Sequence, residues 1–159
     1  MKRLAIAAVA ILAVAAAGCG GGGGGEPLSK ADYEQQLNEI GTSLDSSSQA
    51  LGDAFQAEDV DKATEQIGTM QADIRKLADQ LDDITPPEDV SDPHQDLIDG
   101  LRGMADDFDE FRDAVESKSV AKMTAFAQSF TSSESSQKIN EAIEELKKKG
   151  YDFEGNSGG

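Results

Sequence analysis

One segment near the middle of the chain repeats its apolar residues at alternating steps of three and four. Its members are Val60, Ala63, Ile67, Met70, Ile74, Leu77, Leu81 and Ile84. This spacing places every apolar side chain on one stripe of an α-helix, as in helices that pack lengthwise against each other. A half-buried strand would need an apolar residue at every second position instead. The segment therefore predicts a helix that must bury its stripe against other helices.

Three further segments repeat this pattern, so the chain is predicted to be all-α. The predicted helices cover about residues 30–57, 60–84, 92–116 and 120–149. Pro86 and Pro87 end the second helix because neither can donate the next backbone hydrogen bond. Since the remaining links are also short, the economical arrangement is an antiparallel up-down-up-down four-helix bundle over residues 29–153.

The last helix is the least regular of the four. Residues 131–136 are polar, and the apolar stripe resumes after them in a different register. This predicts a stutter, a bend or a frayed patch at that point. Gly150 suits a left-handed helix cap, Tyr151 and Phe153 are expected to fold back onto the bundle, and residues 154–159 to form a disordered tail.

The beginning of the chain has a different character. Lys2 and Arg3 precede an apolar run from Leu4 to Ala17. A positive start followed by a short apolar run is typical of a secretory signal peptide. The run is shorter than the roughly 20 residues that a membrane-spanning helix needs. Residues 1–18 are therefore predicted to be a removable signal peptide.

The residues that end this run, Ala16, Ala17, Gly18 and Cys19, resemble the lipobox of bacterial lipoproteins. The resemblance implies that Cys19 becomes the first residue of the mature protein and carries a lipid on its thiol. It also implies attachment to the outer face of the cell membrane. The family usually has Leu where this chain has Ala16. Ordinary cleavage near Gly18, which would release a free secreted domain, therefore stays open as the alternative.

Residues 19–28 follow as a glycine-rich tether, and their composition predicts flexible coil that spans on the order of 15 Å. Without Lys2 and Arg3, the mature chain has 12 basic and 31 acidic side chains, a formal charge of 12 − 31 = −19. Such a surface is repelled by nucleic-acid phosphates and by anionic lipid headgroups. The sequence thus excludes phosphate-directed nucleic-acid binding, and the membrane contact is expected to depend on the lipid.

Few side chains of the sequence are candidates for catalysis or for binding a metal or a haem. His94 is the only histidine and lies on the apolar stripe of the third helix, so we interpret it as structural and partly exposed. Met70, Met104 and Met123 fall several turns away from it, which argues against a haem. The acidic residues between Asp79 and Asp92 could hold a weak calcium or magnesium ion, although they lack the spacing of a calcium loop.

A second acidic run on the third helix is interpreted as an exposed face; its members are Asp106, Asp107, Asp109, Glu110 and Asp113. Nucleophile and phosphate-loop motifs are absent from the sequence, so no enzymatic activity and no cofactor is expected. The function that we predict is contact with another envelope protein or a role as a structural module of the envelope. The alternative is an extracytoplasmic carrier of a divalent cation or of a small apolar molecule held between helices.

The helical body also resembles small helical lipoproteins of high-GC Gram-positive bacteria. The residues that carry this likeness are Ile84, Thr85, Pro86 and Pro87, followed by His94, Leu97, Gly100 and Leu101. It covers about half of the mature chain. It implies a location in the envelope and no particular activity.

Overall fold

A computed structural model of the protein describes residues 25–56 and 59–152. These residues form five α-helices and contain no strand. The helices are α1 (Lys30–Gln56), α2 (Val60–Asp82), α3 (Ser91–Glu116), α4 (Val120–Phe130) and α5 (Glu134–Lys148), and a 3-10 turn at Glu88–Val90 precedes α3. The chain is therefore an all-α helical bundle. None of the helices in the described ranges has both the length and the apolar character needed to cross a membrane.

Side chains at the helix starts supply the hydrogen bonds that helical geometry leaves unmade there. Ser29 Oγ accepts from the Asp32 amide and donates to the Asp32 carboxylate, 2.6 Å away. Asp59 caps α2 by accepting from the amide of Lys62, and Ser119 caps α4 by accepting from that of Lys122. Each such cap stabilises a helix by about 1 kcal/mol.

Contacts at the two ends of the bundle show that α1, α2 and α3 alternate in direction and that α4 and α5 together return from the far end to the near end. At the near end, the amide of Leu28 donates to Thr85 O (2.9 Å). Tyr33 of α1 contacts His94 of α3 at the same end, and Lys30 donates to the carbonyl of Gly150 after α5. The far end joins the last turns of α1 and α3 to the first turns of α2 and α4. The described chain thus enters the bundle at the near end.

The core lies along α3, which packs against α2, α4 and α5, whereas α1 packs chiefly along α2. The predicted stripe of α2 is buried as expected at Ile67, Ile74 and Leu81, which are at most 1% exposed. On α3, the stripe residues Leu97, Leu101 and Phe108 are also buried, with at most 6% of each residue exposed. Burying one such aliphatic or aromatic side chain stabilises the fold by about 1.5–3 kcal/mol.

The fourth predicted helix, 120–149, is not continuous. It is divided into α4 and α5 by a turn at residues 131–133. Ser133 caps α5 by accepting from the Ser136 amide, and Ser136 Oγ donates to the carbonyl of Phe130 (2.7 Å). These serines give the backbone an alternative to continuing the helix, which is why the chain breaks there. The sequence located the irregularity, but the single helix over 120–149 was wrong.

Other boundaries differ by small amounts. Helix α2 ends at Asp82, two residues before the predicted end, and α3 begins at Ser91. Gly150 has φ of 83°, the left-handed conformation expected of the cap after α5. Tyr151 folds back and is 5% exposed, and its hydroxyl donates to Asp89 (2.9 Å). Phe153, the tail at 154–159 and the predicted leader and tether up to residue 24 lie outside the described residues.

Candidate functional site at the far end of the bundle

Cys19, the predicted lipid-attachment residue, lies outside the described residues. Its nearest described neighbours are residues 25–29, which lead into α1 at the near end. The attachment site therefore stays a prediction from the sequence.

His94 is fully incorporated into the near end of the core. Its side chain is 5% exposed, and its Nδ1 lies 3.1 Å from the Tyr33 hydroxyl, with which it shares a hydrogen bond. Burial lowers the pKa of His94, although the backbone of Leu81 and the charge of Asp82 act in the opposite direction. The expected partial exposure was wrong, because Tyr33 and Tyr151 pack edge to face in the same region.

Burial also raises the pKa values of the two tyrosines beside His94. The pKa of Tyr33 rises above its ordinary range because the side chain is buried. Burial, followed by the hydrogen bond to Asp89, raises the pKa of Tyr151 to about 12. Both hydroxyls therefore stay protonated at physiological pH. Together with His94 they form a polar contact that holds the starts of α1 and α3 to the end of α5.

Several carboxylates of the two acidic runs form ion pairs with arginines. Arg102 pairs with Asp79 (3.2 Å) and Asp82 (3.0 Å), which offsets the carboxylates at the end of α2. Arg75 pairs with Asp106 at 2.9 Å. These ion pairs are exposed, so water and salt screen them and they contribute little to the stability of the fold. Among the described residues, no group of three or more His, Cys, Asp or Glu side chains could hold a metal ion.

A cluster of hydrogen-bonded polar side chains connects the acidic face of α3 to α2. Gln71 is 2% exposed, and its Nε2 donates to the carbonyl of Ala105 and to the carboxylate of Asp109, both at 3.0 Å. Arg112 donates to Gln71 and to Asp109. The Gln71 hydrogen bond, with help from the Arg112 charge, lowers the pKa of Asp109. This part of the acidic face is a helix-to-helix contact, so Asp109 is more than a solvated charge.

Five phenylalanines form one aromatic cluster near the far end. Phe111 stacks on Phe126 with ring centroids 4.6 Å apart, and Phe108 meets Phe130 edge to face at 5.4 Å. Phe55 of α1 joins through Phe111 at 5.6 Å. Such pairs add about 0.5–1.5 kcal/mol each beyond their buried area. The cluster attaches α4, which buries none of its residues fully, to α3.

Next to this cluster, the ends of four helices line a cavity of about 300 Å³ that is half open to solvent. We call it the far-end cavity. It is lined by Ala54, Phe55, Asp59, Val60, Ala63, Val115, Lys118, Val120 and Met123. Ala54, Ala63 and Val115 are buried in its wall, whereas Phe55 is 38% and Val120 71% exposed. These two are the exposed large hydrophobic residues of the described chain.

The turn before α4 shapes one side of this cavity. Lys118 has φ of 51°, an uncommon conformation for a residue with a side chain, and the following amide, of Ser119, donates back to Ala114 O. This tight turn starts α4 beside the end of α3, so that Val120 and Met123 reach the cavity. The helix bounds predicted from the sequence leave a short link at 117–119, but they give no sign of the cavity, because the space depends on how far apart four helix ends lie.

Comparison with known protein families, with curated proteins and with solved structures finds no match to this chain.

Proposed function

We propose that the protein is a non-enzymatic envelope lipoprotein, anchored to the outer face of the cell membrane through Cys19, whose bundle acts by contact with another envelope protein. The observation that carries this proposal is the position of the exposed apolar residues relative to the chain entry. Leu28 is bonded to Thr85 at the near end, whereas Phe55 and Val120 are exposed at the far end.

A lipid on Cys19 would hold the near end toward the membrane, because only eight residues, 20–27, lie between Cys19 and Leu28. A flexible chain of that length spans on the order of 15 Å, less than the length of the bundle. The far end would then face away from the membrane, where another protein can reach it. Exposed apolar side chains next to a polar surface are the usual anchors of such contacts.

The buried state of the single histidine supports a role other than catalysis. His94 is bonded to Tyr33 inside the core, and the arginines of α2 and α3 are paired with nearby carboxylates. The histidine and these arginines therefore form hydrogen bonds and ion pairs within the fold.

The anchor is tested by the intact mass of the protein extracted from its own membranes, compared with that of a Cys19→Ala variant. The expected result is a chain that starts at Cys19 and carries a diacylglycerol, with neither feature in the variant. An unlipidated chain recovered from the medium would show that the lipobox resemblance is misleading.

The contact is tested by crosslinking in intact cells with Val120→Asp. Because Val120 is 71% exposed and begins a helix, an acidic residue there fits the helix dipole and leaves the fold intact. We expect the crosslinked partner to be lost. Ala31→Asp is the matched control, since it adds the same charge to the first turn of α1 at the near end, and it should retain the partner. Equal crosslinking by both variants would refute a far-end contact.

A further inference from the structure

The geometry points to a binding site for one small, neutral, apolar molecule in the far-end cavity. This inference goes beyond the proposed protein contact and does not depend on it. It rests on the lining of the cavity, its volume and its connection to the bundle.

The lining determines the chemical class of the ligand. The wall consists mainly of alanine, valine, phenylalanine and methionine side chains from the ends of four helices, and the exposed Asp59 and Lys118 also line it. The carboxylate of Asp59 already accepts the Lys62 amide, and among the described residues no buried side-chain polar atom lacks a hydrogen-bond partner. A polar ligand group would therefore lose its water without replacement, which is costly.

The volume determines the size of the ligand. A cavity of 300 Å³ is at the lower limit of typical ligand sites, which occupy about 300–1,000 Å³. An apolar cavity of about 150 Å³ accepts one benzene molecule. The far-end cavity, with about twice that space, therefore suits a two-ring or similarly compact hydrocarbon body. A long lipid chain would exceed it.

The packing explains why the space stays open. Protein cores normally fill voids larger than a water molecule. Here Ala54 of α1 and Ala63 of α2 are both small and buried, and Val120 is fixed by the turn at Lys118. Met123 has a flexible side chain that adapts to irregular partners. A ligand would restore the missing contacts without moving the helices.

The test uses methionine-methyl NMR of the full chain, with naphthalene as the probe. Met123 lines the cavity, whereas Met70 and Met104 lie elsewhere in the bundle and serve as internal controls. We expect the Met123 signal to shift and to saturate at one naphthalene per chain while the signals of Met70 and Met104 stay in place. Charged 2-naphthoate should bind at least tenfold more weakly. A static Met123 signal, a common shift of the Met70, Met104 and Met123 methyls, or equal binding of 2-naphthoate would overturn the assignment.

Two variants locate the site. Ala63→Phe fills the cavity from α2 and should weaken naphthalene binding at least tenfold. Val120→Asp places a charge at the exposed edge and should also weaken it, and this variant keeps the test valid if Ala63→Phe does not fold. Ala31→Asp should bind like the unaltered chain. Wild-type affinity in both cavity variants would refute the site.

Because Ala63 is buried, Ala63→Phe should leave crosslinking to a protein partner intact. Failure of this binding site and failure of the protein contact are therefore distinguishable.

Discussion

His94 shows how one buried polar residue links stability to pH. Burial lowers its pKa in the folded protein, so the unfolded chain binds a proton more readily. Stability associated with His94 is complete above the unfolded value of about 6.5 and is lost as the pH falls from there toward the lower folded-state pKa. We therefore expect the free energy of unfolding, measured in urea, to decrease between pH 7.5 and pH 5.

A variant separates the contribution of His94 from that of the rest of the chain. His94→Gln keeps a hydrogen-bonding group beside Tyr33 but removes the titration. It should be less stable than the wild type at pH 7.5, by about 1–3 kcal/mol for a disturbed buried hydrogen bond. Its stability should also depend less on pH between 7.5 and 5. Parallel pH curves for the two proteins would contradict the assignment.

Gly100 is the residue that sets the distance between α3 and α5. A Cβ atom at this position would lie 2.5 Å from Ile139 Cγ1 and 3.2 Å from the carbonyl oxygen of Ser135. Since the second contact is with backbone, the helices would have to separate. Gly100→Ala is expected to lower the free energy of unfolding by about 1–3 kcal/mol, the cost of overpacking a core.

Gly68 is the matched control for this change. It lies inside α2, and a Cβ atom there would have no neighbour within 4 Å. Gly68→Ala should therefore raise the free energy of unfolding by about 0.5–1 kcal/mol, because alanine favours the helix. Urea unfolding of both variants measures the difference. If both substitutions change the free energy of unfolding in the same direction, the close contact between α3 and α5 is not the reason why position 100 requires glycine.

At the scale of the element, α2 connects the bundle, because it contacts both α1 and α3. Leu77 is 6% exposed on its buried stripe, whereas Gln80, one turn later, is exposed. Leu77→Asp would bury a charge without a partner, and it should cost more than about 4 kcal/mol and abolish cooperative unfolding. Gln80→Asp should keep both helicity by circular dichroism and a cooperative transition. A folded, cooperative Leu77→Asp protein would refute the stripe.

The elements also show what the sequence could and could not predict. Apolar spacing located α1, α2 and α3 within two residues, because a helix pattern is local and prolines end it. The same spacing did not reveal that Gln71 is buried, since its partners, Ala105 and Asp109, belong to another helix. It also extended the fourth helix through residues 131–133, where serine side chains hydrogen-bond the backbone. The far-end cavity depends on four separate helix ends, so no local pattern could predict it.

For the whole molecule, charge is the main property that folding must accommodate. The chain has 31 acidic and 14 basic residues, a formal charge of −17. The ion pairs of Arg102 and Lys138 join side chains that are at least one third exposed, so they contribute little to stability. Repulsion among the remaining carboxylates acts over the Debye length, about 30 Å at 0.01 M salt and 10 Å at 0.1 M.

Screening should therefore stabilise this protein. We expect the midpoint of thermal unfolding to rise by a few degrees when sodium chloride is increased from 0.01 to 0.3 M, which corresponds to about 1 kcal/mol. Asp113 and Glu116 are exposed in the last turn of α3, where the helix dipole also disfavours negative charge. The double variant Asp113→Asn with Glu116→Gln should be more stable than the wild type in low salt and should gain less from added salt. A midpoint that falls with salt would mean that the exposed ion pairs, rather than the excess of carboxylates, dominate the electrostatics of the bundle.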